Sequence, residues 1–423
     1  MSSLDYDLVL ASILGLSALA AGAFGLQFRS RFVGPIAGVL TFLTGIATLF
    51  LHPNVLERSF LLLDGASLPR VAVAGVMLWC VFMVLPRRHE SETSTSSLLA
   101  LAAVHIALVV SPEPWISAVL WVLGAFFTAV VLPAGPARRL AIPYLLLSSV
   151  VGVIGLFIGG PYAVIFLLLA VMTRMGIFPF HSWVVGIYTL APTTIAVALV
   201  APMAALSLVA RTPLAMEDEF GIGIAVFLVL GALLTGALSI VQRTLSRGVG
   251  MLTVSIQTSV LLGVLEGDNI GHLGGLMMWG ITGLSLLGIG LVAAALISRR
   301  GEIRIDTYAG LLERAPIFGA LFLMFGLAAV GAPGTADFAS EDLVLHGGMA
   351  HHPVLLFLFI SALSTQGYSV LHLFYRVFFG PPDLGYFQDA MLRERIALVG
   401  LAALLVLLGL APQILIDGWL LAG

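Results

Sequence analysis

Fourteen stretches of this chain are apolar for long enough to cross, or nearly cross, a lipid bilayer, and they follow one another with little polar sequence between them. Crossing takes about 17–25 residues of helix. The runs lie at Tyr6–Gln27, Phe32–Leu51, Arg70–Leu85, Ser97–Ser111, Pro114–Leu132, Leu140–Gly159 and Pro161–Phe178. They continue at Ala191–Ala210, Phe220–Val241, Gly248–Leu265, His272–Ile297, Ala315–Ala332, Pro353–Phe379 and Ile396–Leu421. Only elements that satisfy their own backbone hydrogen bonds cross lipid, and runs of this length are helices rather than barrel strands. The expected fold is all-α and integral to the membrane, with about 14 transmembrane helices. Charged residues make up only 10% of the chain, against about 25% in soluble domains.

The arginines test this count. Alternate connections carry Arg29 and Arg31, Arg87 and Arg88, Arg138 and Arg139, then Arg243 and Arg247. The same side continues with Arg299, Arg300, Arg304 and Arg314, then Arg376, Arg393 and Arg395. The opposite connections hold only Arg58, Arg70 and Arg211, and are acidic at Glu113, Glu217 to Glu219, Glu266, Asp268, Asp337, Glu341 and Asp342. The positive-inside rule makes the arginine-rich side cytoplasmic, so an even number of spans leaves both termini outside a cell (inner) membrane. The N-terminal Met1–Asp7 is acidic, so the first run is expected to be a span and not a cleaved signal peptide.

Other classes are disfavoured. A net charge of −3 gives no basis for binding nucleic acid. The lone Cys80 forms neither an internal disulfide nor a cysteine cluster, and no dinucleotide, P-loop or zinc-protease pattern occurs. No cofactor and no metal are expected; the adjacent His351 and His352 lack further ligands.

Within Leu140–Val209, Arg174 is the one charged residue. An ionisable side chain at membrane depth is expensive and marks a functional position by default. All 19 Lys+Arg residues are arginine, which a GC-rich codon bias also explains. The local consequence stands: arginine does not release its proton at physiological pH. Span 7 runs into Phe178-Pro179-Phe180-His181, and span 12 into Gly331-Ala332-Pro333-Gly334. Proline removes a helix hydrogen bond, so both helices are expected to break. Spans 7 and 12 are five apart and enter from opposite sides, as two inverted five-helix repeats with broken helices 7 and 12 would require. Two unrelated proline kinks are the alternative.

These residues resemble a known family. Arg174-Met-Gly-Ile-Phe-Pro-Phe-His-Ser-Trp, followed by Ala191-Pro192-Thr193, is similar to the Lys-x-x-x-Phe-Pro-x-His-x-Trp…Ala-Pro-Thr signature of the antiporter-like subunits of respiratory complex I and of Mrp-type cation/proton antiporters. In order, Arg247 through Gly263 resembles the family's Lys-Arg…Ser-Ile…Leu-Leu-Gly segment, and Tyr308-Ala-Gly-Leu-Leu its Tyr-Gly-Gly-Leu. Gly331 through Glu341 and Asp342 resembles its Gly-Leu-Pro-Gly-x-x-Gly-Phe-x-x-Glu/Lys, and Tyr375-Arg376-Val-Phe-Phe-Gly-Pro its Tyr-Arg-x-Phe-Phe-Gly-Pro. The resemblance covers roughly residues 97–382 and implies a fourteen-helix fold with a chain of buried charges that moves protons.

Carried over residue by residue, most of that chain is missing. The glutamate implied on helix 5 falls at Val122 beside Trp121, and the helix 7 lysine is Arg174. The helix 8 lysine or histidine falls near Pro202-Met203-Ala204, and the helix 11 series becomes His272, Leu276, Gly280. Glu341 alone survives as a carboxylate. Arg174 is expected to be a fixed structural or anion-attracting charge, held by carbonyls at the helix 7 break, His105, His181, water, a headgroup or a carboxylate from elsewhere. His181 is expected to anchor the broken helix through a backbone hydrogen bond, with titration as the alternative.

Candidate ion-path residues are Glu341, Asp342, His346, His372 and Arg376; Asp342/His346 and His372/Arg376 share helix faces at i, i+4. A half-channel from outside to Glu341, with His372 or His346 as neighbour, competes with acids that merely cap a solvated loop. The expected organisation is helices 1–3 in 1–96, a first repeat in 97–211, a second in 212–380, and a last helix in 381–423. The expected function is that of an antiporter-like membrane subunit, of the kind found in NADH-quinone oxidoreductase, supporting proton or cation translocation coupled to partner subunits. Such a subunit has no redox centre of its own, and its partners are the bilayer and further subunits. A non-conducting scaffold, or the membrane subunit of a two-part inorganic-carbon uptake system, remains open.

Overall fold

Two helices buried on every side organise the protein. The computed structural model describes residues 33–51, 68–85, 92–111, 113–210, 219–347, 352–381 and 387–413. The expected first span, Arg29, Arg31, Arg58, Arg87, Arg88, Arg211, His351 and the end of the last span lie outside the described residues. Fifteen α-helices occur among the described residues: α1 Val33–Leu51, α2 Leu68–Val84, α3 Glu92–Val110, α4 Pro114–Val131, α5 Pro136–Ile158, α6 Gly160–Met175, α7 Ser182–Leu190 and α8 Thr193–Val200. They continue as α9 Glu219–Ile240, α10 Leu245–Val264, α11 Asn269–Arg300, α12 Pro316–Ala328, α13 Ala336–His346, α14 Pro353–Phe378 and α15 Leu392–Leu410. Six of them (α4, α5, α9, α10, α11 and α14) are each long and apolar enough to cross a membrane alone.

Helices α10 and α11 are almost wholly enclosed, whereas α4, α5 and α14 present rows such as Leu146, Val150 and Phe157 or Val354, Phe357 and Ile360 outward. An apolar exterior of this kind faces lipid, where close packing, not water exclusion, holds helices together. Small residues supply that packing: a Cβ on Gly275 of α11 would fall 2.0 Å from the Gly263 carbonyl carbon of α10.

The two expected breaks are present. α6 stops at Met175 with Gly176 left-handed (φ +67), followed by the cis Phe178–Pro179 bond, before α7 starts at Ser182. The Thr173 carbonyl, which keeps only the Gly176 amide at 3.3 Å from the backbone, also accepts from Trp183 Nε1 at 2.9 Å. α12 stops at Ala328, and Gly331 (φ +66) and Gly334 (φ +91) carry the chain to α13. The break rests on α15, where a Cβ on Gly409 would lie 2.4 Å from the Thr335 carbonyl carbon.

One expected continuous helix is interrupted. The run Ala191–Ala210 divides into α8 and a short 3₁₀ turn, Ala204–Leu208, through Met203 at φ +47. Side chains from the two core helices hold the loosened carbonyls: Gln257 Nε2 donates to Val200 O at 2.7 Å and Trp279 Nε1 to Pro202 O at 3.2 Å. At the arginine-rich end, Asp389 accepts from the Ile317 and Phe318 amides at the start of α12, and Glu394 of α15 pairs with Arg299 of α11 at 2.5 Å.

Candidate functional site

Two buried charged clusters follow from the breaks. The first surrounds Arg174 in the last turn of α6. Its Nε donates to Ser148 Oγ at 3.1 Å, and Nη2 to the Trp121 carbonyl at 3.2 Å and Ser149 Oγ at 3.3 Å. The guanidinium carbon lies 4.0 Å from the centroid of the Trp121 ring. Both serines can accept because their own protons are used elsewhere, Ser148 donating to Ala170 O and Ser149 to Leu145 O. Trp121 is fixed in turn by Nε1 donating to Ser148 O at 2.9 Å, and Gly152 leaves room for its ring: a Cβ there would stand 2.3 Å from Nε1.

The partners expected for Arg174 at the helix 7 break are therefore replaced by neutral groups of α4 and α5. Among the described residues no carboxylate pairs with it. Charge-assisted hydrogen bonds and a desolvated cation–π contact each offset part of the cost of a buried ion, about 1.5–3 and 2 kcal/mol respectively. Beside the guanidinium is a cavity of about 30 Å³, room for one water, lined by His105, Thr128, Arg174, Trp183 and Met203 among others.

Val122, where the family's glutamate was expected, is 44% exposed, whereas Trp121 is buried and turned inward. The residue facing Arg174 is thus one position earlier than expected. His181 stacks on Phe178 at 5.9 Å between centroids, and its backbone carbonyl accepts from Val185 in the first turn of α7; its Nδ1 is buried without a hydrogen-bond partner. Arg70, expected among the outer connections, is buried, with its guanidinium 3.7 Å over the ring of Trp279.

The second cluster is on α13. Asp337 and Glu341, grouped by sequence with the outer loop acids, are 0% and 5% exposed respectively. They lie one helical turn apart and share a face. Ser285, halfway along α11, donates from Oγ to Asp337 Oδ2 at 2.6 Å. Glu341 bends back over the break, where only a glycine fits: a Cβ on Gly331 would lie 1.9 Å from Glu341 Oε2. A solvated capping loop does not describe these two acids.

The other expected residues separate from Glu341. Asp342 and His346 are half-exposed or more and pair with each other at 3.2 Å on the opposite face of α13. His372 stacks on Tyr368, and Arg376 lies over Tyr308 at 4.7 Å, both in the last two turns of α14, far from the end that follows α13. The Tyr308–Leu312 segment is bound there by its amides, from Ala309 N to Arg376 O through Leu312 N to Phe378 O, so the two matched motifs clamp one another. Among the described residues no hydrogen bond or ion pair joins Glu341 to His346, His372 or Arg376. Sequence reasoning missed the Asp337–Glu341 pairing and a buried neutral polar contact in which Gln366 Nε2 of α14 donates to Ser255 and Ser259 of α10. The i, i+4 spacing of each pair was the available signal.

The fold is a broken-helix membrane bundle with two buried carboxylates, Asp337 and Glu341, following its second break, and known proteins share that fold. Residues 138–365 match the family described as NADH:quinone oxidoreductase/Mrp antiporter, TM, and the chain belongs to that family. It is a multi-pass membrane protein. NADH-quinone oxidoreductase subunit M of Pseudomonas aeruginosa is 31% identical over 261 residues, covering 59% of this chain and 50% of that protein. Subunit M of Mycobacterium tuberculosis is 30% identical over 191 residues, or 45% of this chain and 34% of that one. The chain thus spans about half the length, or less, of these curated relatives. In structure, it matches a chain of respiratory complex I from Thermus thermophilus with TM-score 0.85 at 22% identity, covering 98% of both chains. A chain of the Mrp complex from Dietzia sp. matches with TM-score 0.79 at 15% identity, over 99% of this chain and 96% of that one.

Proposed function

We propose that this chain is an antiporter-like membrane subunit of a multi-subunit complex. It supports translocation of protons or cations coupled to work in partner subunits, through a partial path centred on Glu341. The observation that carries this reading is a carboxylate buried at a helix break, seated in the place that the missing side chain of Gly331 leaves. The names of the relatives, subunits of NADH-quinone oxidoreductase, and the matched complexes supply the assembly part of the proposal.

In this reading the described helices belong to about fourteen spans with both termini outside. α6 with α7, and α12 with α13, are the discontinuous members of two inverted five-helix repeats, 97–211 and 212–380. Spans 1–3 (1–96) and the last (381–423) flank them. Half-helix ends at mid-membrane are where such folds hold ions. Arg174 takes no part in proton exchange: it is a fixed charge held by neutral acceptors. The test is proton flux into proteoliposomes carrying the native complex, with wild type and Glu341→Gln compared; loss of flux in the variant supports the reading, and unchanged flux removes Glu341 from any path. The neutral surroundings of Arg174 favour one second reading, a scaffold derived from such a pump, for which neither protein conducts.

A further inference from the structure

The carboxylate pair on α13 has a feature that a single-site path does not use. Asp337 stands where the family signature carries glycine, so the second acid is a departure of this chain from the pattern. Asp337 Oδ2 accepts from Ser285, while Oδ1 is buried without a partner. Thr282 Oγ1, one turn from Ser285 on α11, is also buried and turned toward Asp337, too loosely for a well-formed hydrogen bond. Asp337 thus has two hydroxyls of α11 turned toward it, one oxygen without a well-formed bond and a second buried acid one helical turn away, a setting that suits a proton.

Among the described residues no basic group neutralises the pair. Of the helices packed on α13, α11 has His272, Arg299 and Arg300 at its ends, with His272 Nδ1 at 2.9 Å from Val264 O. α12 has no ionisable residue, and α15 has Arg393, Glu394 and Arg395 at its start, where Glu394 is paired with Arg299. α10, whose Gly263 faces Val344 of α13, carries Arg247 in its first turn. Among the described residues none of these forms an ion pair with Asp337 or Glu341. Two carboxylates one turn apart in such surroundings do not both ionise; one keeps a proton.

We infer that Asp337 and Glu341 form a two-carboxylate site holding one shared proton, with Ser285 orienting Asp337 and Glu341 facing the helix break. The proton leaves the carboxyl O–H of one residue as the carboxylate of the other accepts it, so the pair keeps a single negative charge. Ser285 stabilises the ionised form of Asp337, and the proton therefore rests mainly on Glu341. This inference rests on Glu341 being part of an ion path, but it concerns occupancy and is tested without transport.

The experiment labels the native complex in lipid nanodiscs with dicyclohexylcarbodiimide, which reacts with protonated carboxyls, and maps adducts by mass spectrometry of the peptide spanning both residues. The expected result is one adduct per peptide, predominantly on Glu341, and never two. Ser285→Ala should move adducts toward Asp337 by about tenfold, the strength of a hydrogen bond to a charged acceptor. Ser285→Thr, which keeps the hydroxyl, should restore the wild-type distribution, and size-exclusion chromatography verifies that each complex is intact. Doubly labelled peptide, no label, or a distribution unchanged in Ser285→Ala overturns the shared proton. Suppression of labelling by sodium chloride but not choline chloride overturns it in favour of a bound metal cation. A single shared adduct combined with normal flux in Glu341→Gln would sink the transport reading and leave this one standing.

Discussion

Replacing Gly331 by alanine tests the placement of Glu341 without altering any ionisable group. The added Cβ would lie 1.9 Å from Glu341 Oε2 and 2.5 Å from its Cδ. Reaching ordinary contact near 3.4 Å requires the carboxylate to retreat by about 1.5 Å, and a side chain can do this by leaving its rotamer at a cost of about 0.5–1.5 kcal/mol. At 1.36 kcal/mol per factor of ten, a path through Glu341 slows about two- to tenfold. Gly331 is also left-handed at φ +66, so alanine adds about 1–2 kcal/mol of backbone strain. Gly334→Ala isolates that second effect, because Gly334 sits at φ +91 in the same break with nothing within 4 Å of its Cβ. Both variants should lower the thermal stability of the detergent-solubilised complex, Gly331→Ala the more because it also displaces the carboxylate. Only Gly331→Ala should reduce proton flux in proteoliposomes by the stated factor. Equal flux in the two variants, whether normal or reduced, would refute the argument that Glu341 acts from its position over Gly331.

Three further outcomes are expected. Arg174→Lys and Arg174→Ala should support equal flux, with the alanine variant melting earlier because the contact with Trp121 and the bonds to Ser148 and Ser149 are lost; flux retained by lysine alone would return Arg174 to a conducting role. Asp342→Asn and His346→Ala should change flux by less than about twofold, since an exposed pair contributes at most about 1 kcal/mol; a tenfold loss in the same assay would bring the outer face of α13 into the path. In the connection between α11 and α12, Arg304 holds Asp306 below the ordinary carboxylate range, chiefly through its hydrogen bond. That depression stabilises the loop above the unfolded carboxylate's range and is lost as pH falls through the depressed folded value. Asp306→Asn should thus lower the melting temperature slightly near neutrality and not at strongly acidic pH.

Most of the architecture was legible because lipid imposes a coarse code. Apolar length marks helices. Pro179 and the Pro333-Gly334 pair marked breaks that occur at Gly176–His181 and Ala329–Thr335. Pro202 was equally visible, yet its span was expected to be continuous. The partners that compensate its interruption, Gln257 and Trp279, come from helices distant in sequence. Site detail demanded a finer register. A helix turns about 100° per residue, so Val122, where the resemblance puts the missing glutamate, is turned outward while its neighbour Trp121 lies beneath Arg174. Asp337 was misjudged for another reason. An acid just after Pro-Gly has the look of a helix cap on a solvated loop, and its burial depends on Ser285 and Thr282, some fifty residues earlier on α11. Arg70 followed the same pattern: a residue at the edge of an apolar run looks exposed until its ring partner, Trp279, is known.

Whether ions move by way of Glu341 is read from passive proton flux driven by an imposed pH gradient across proteoliposomes holding the intact complex. Wild type, Glu341→Gln and Asp342→Asn would be measured at matched protein density. Wild type and Asp342→Asn should show flux above the empty-liposome leak, and Glu341→Gln flux at the leak. Glu341→Gln conducting as well as wild type, or all three at the leak, would contradict a path through Glu341.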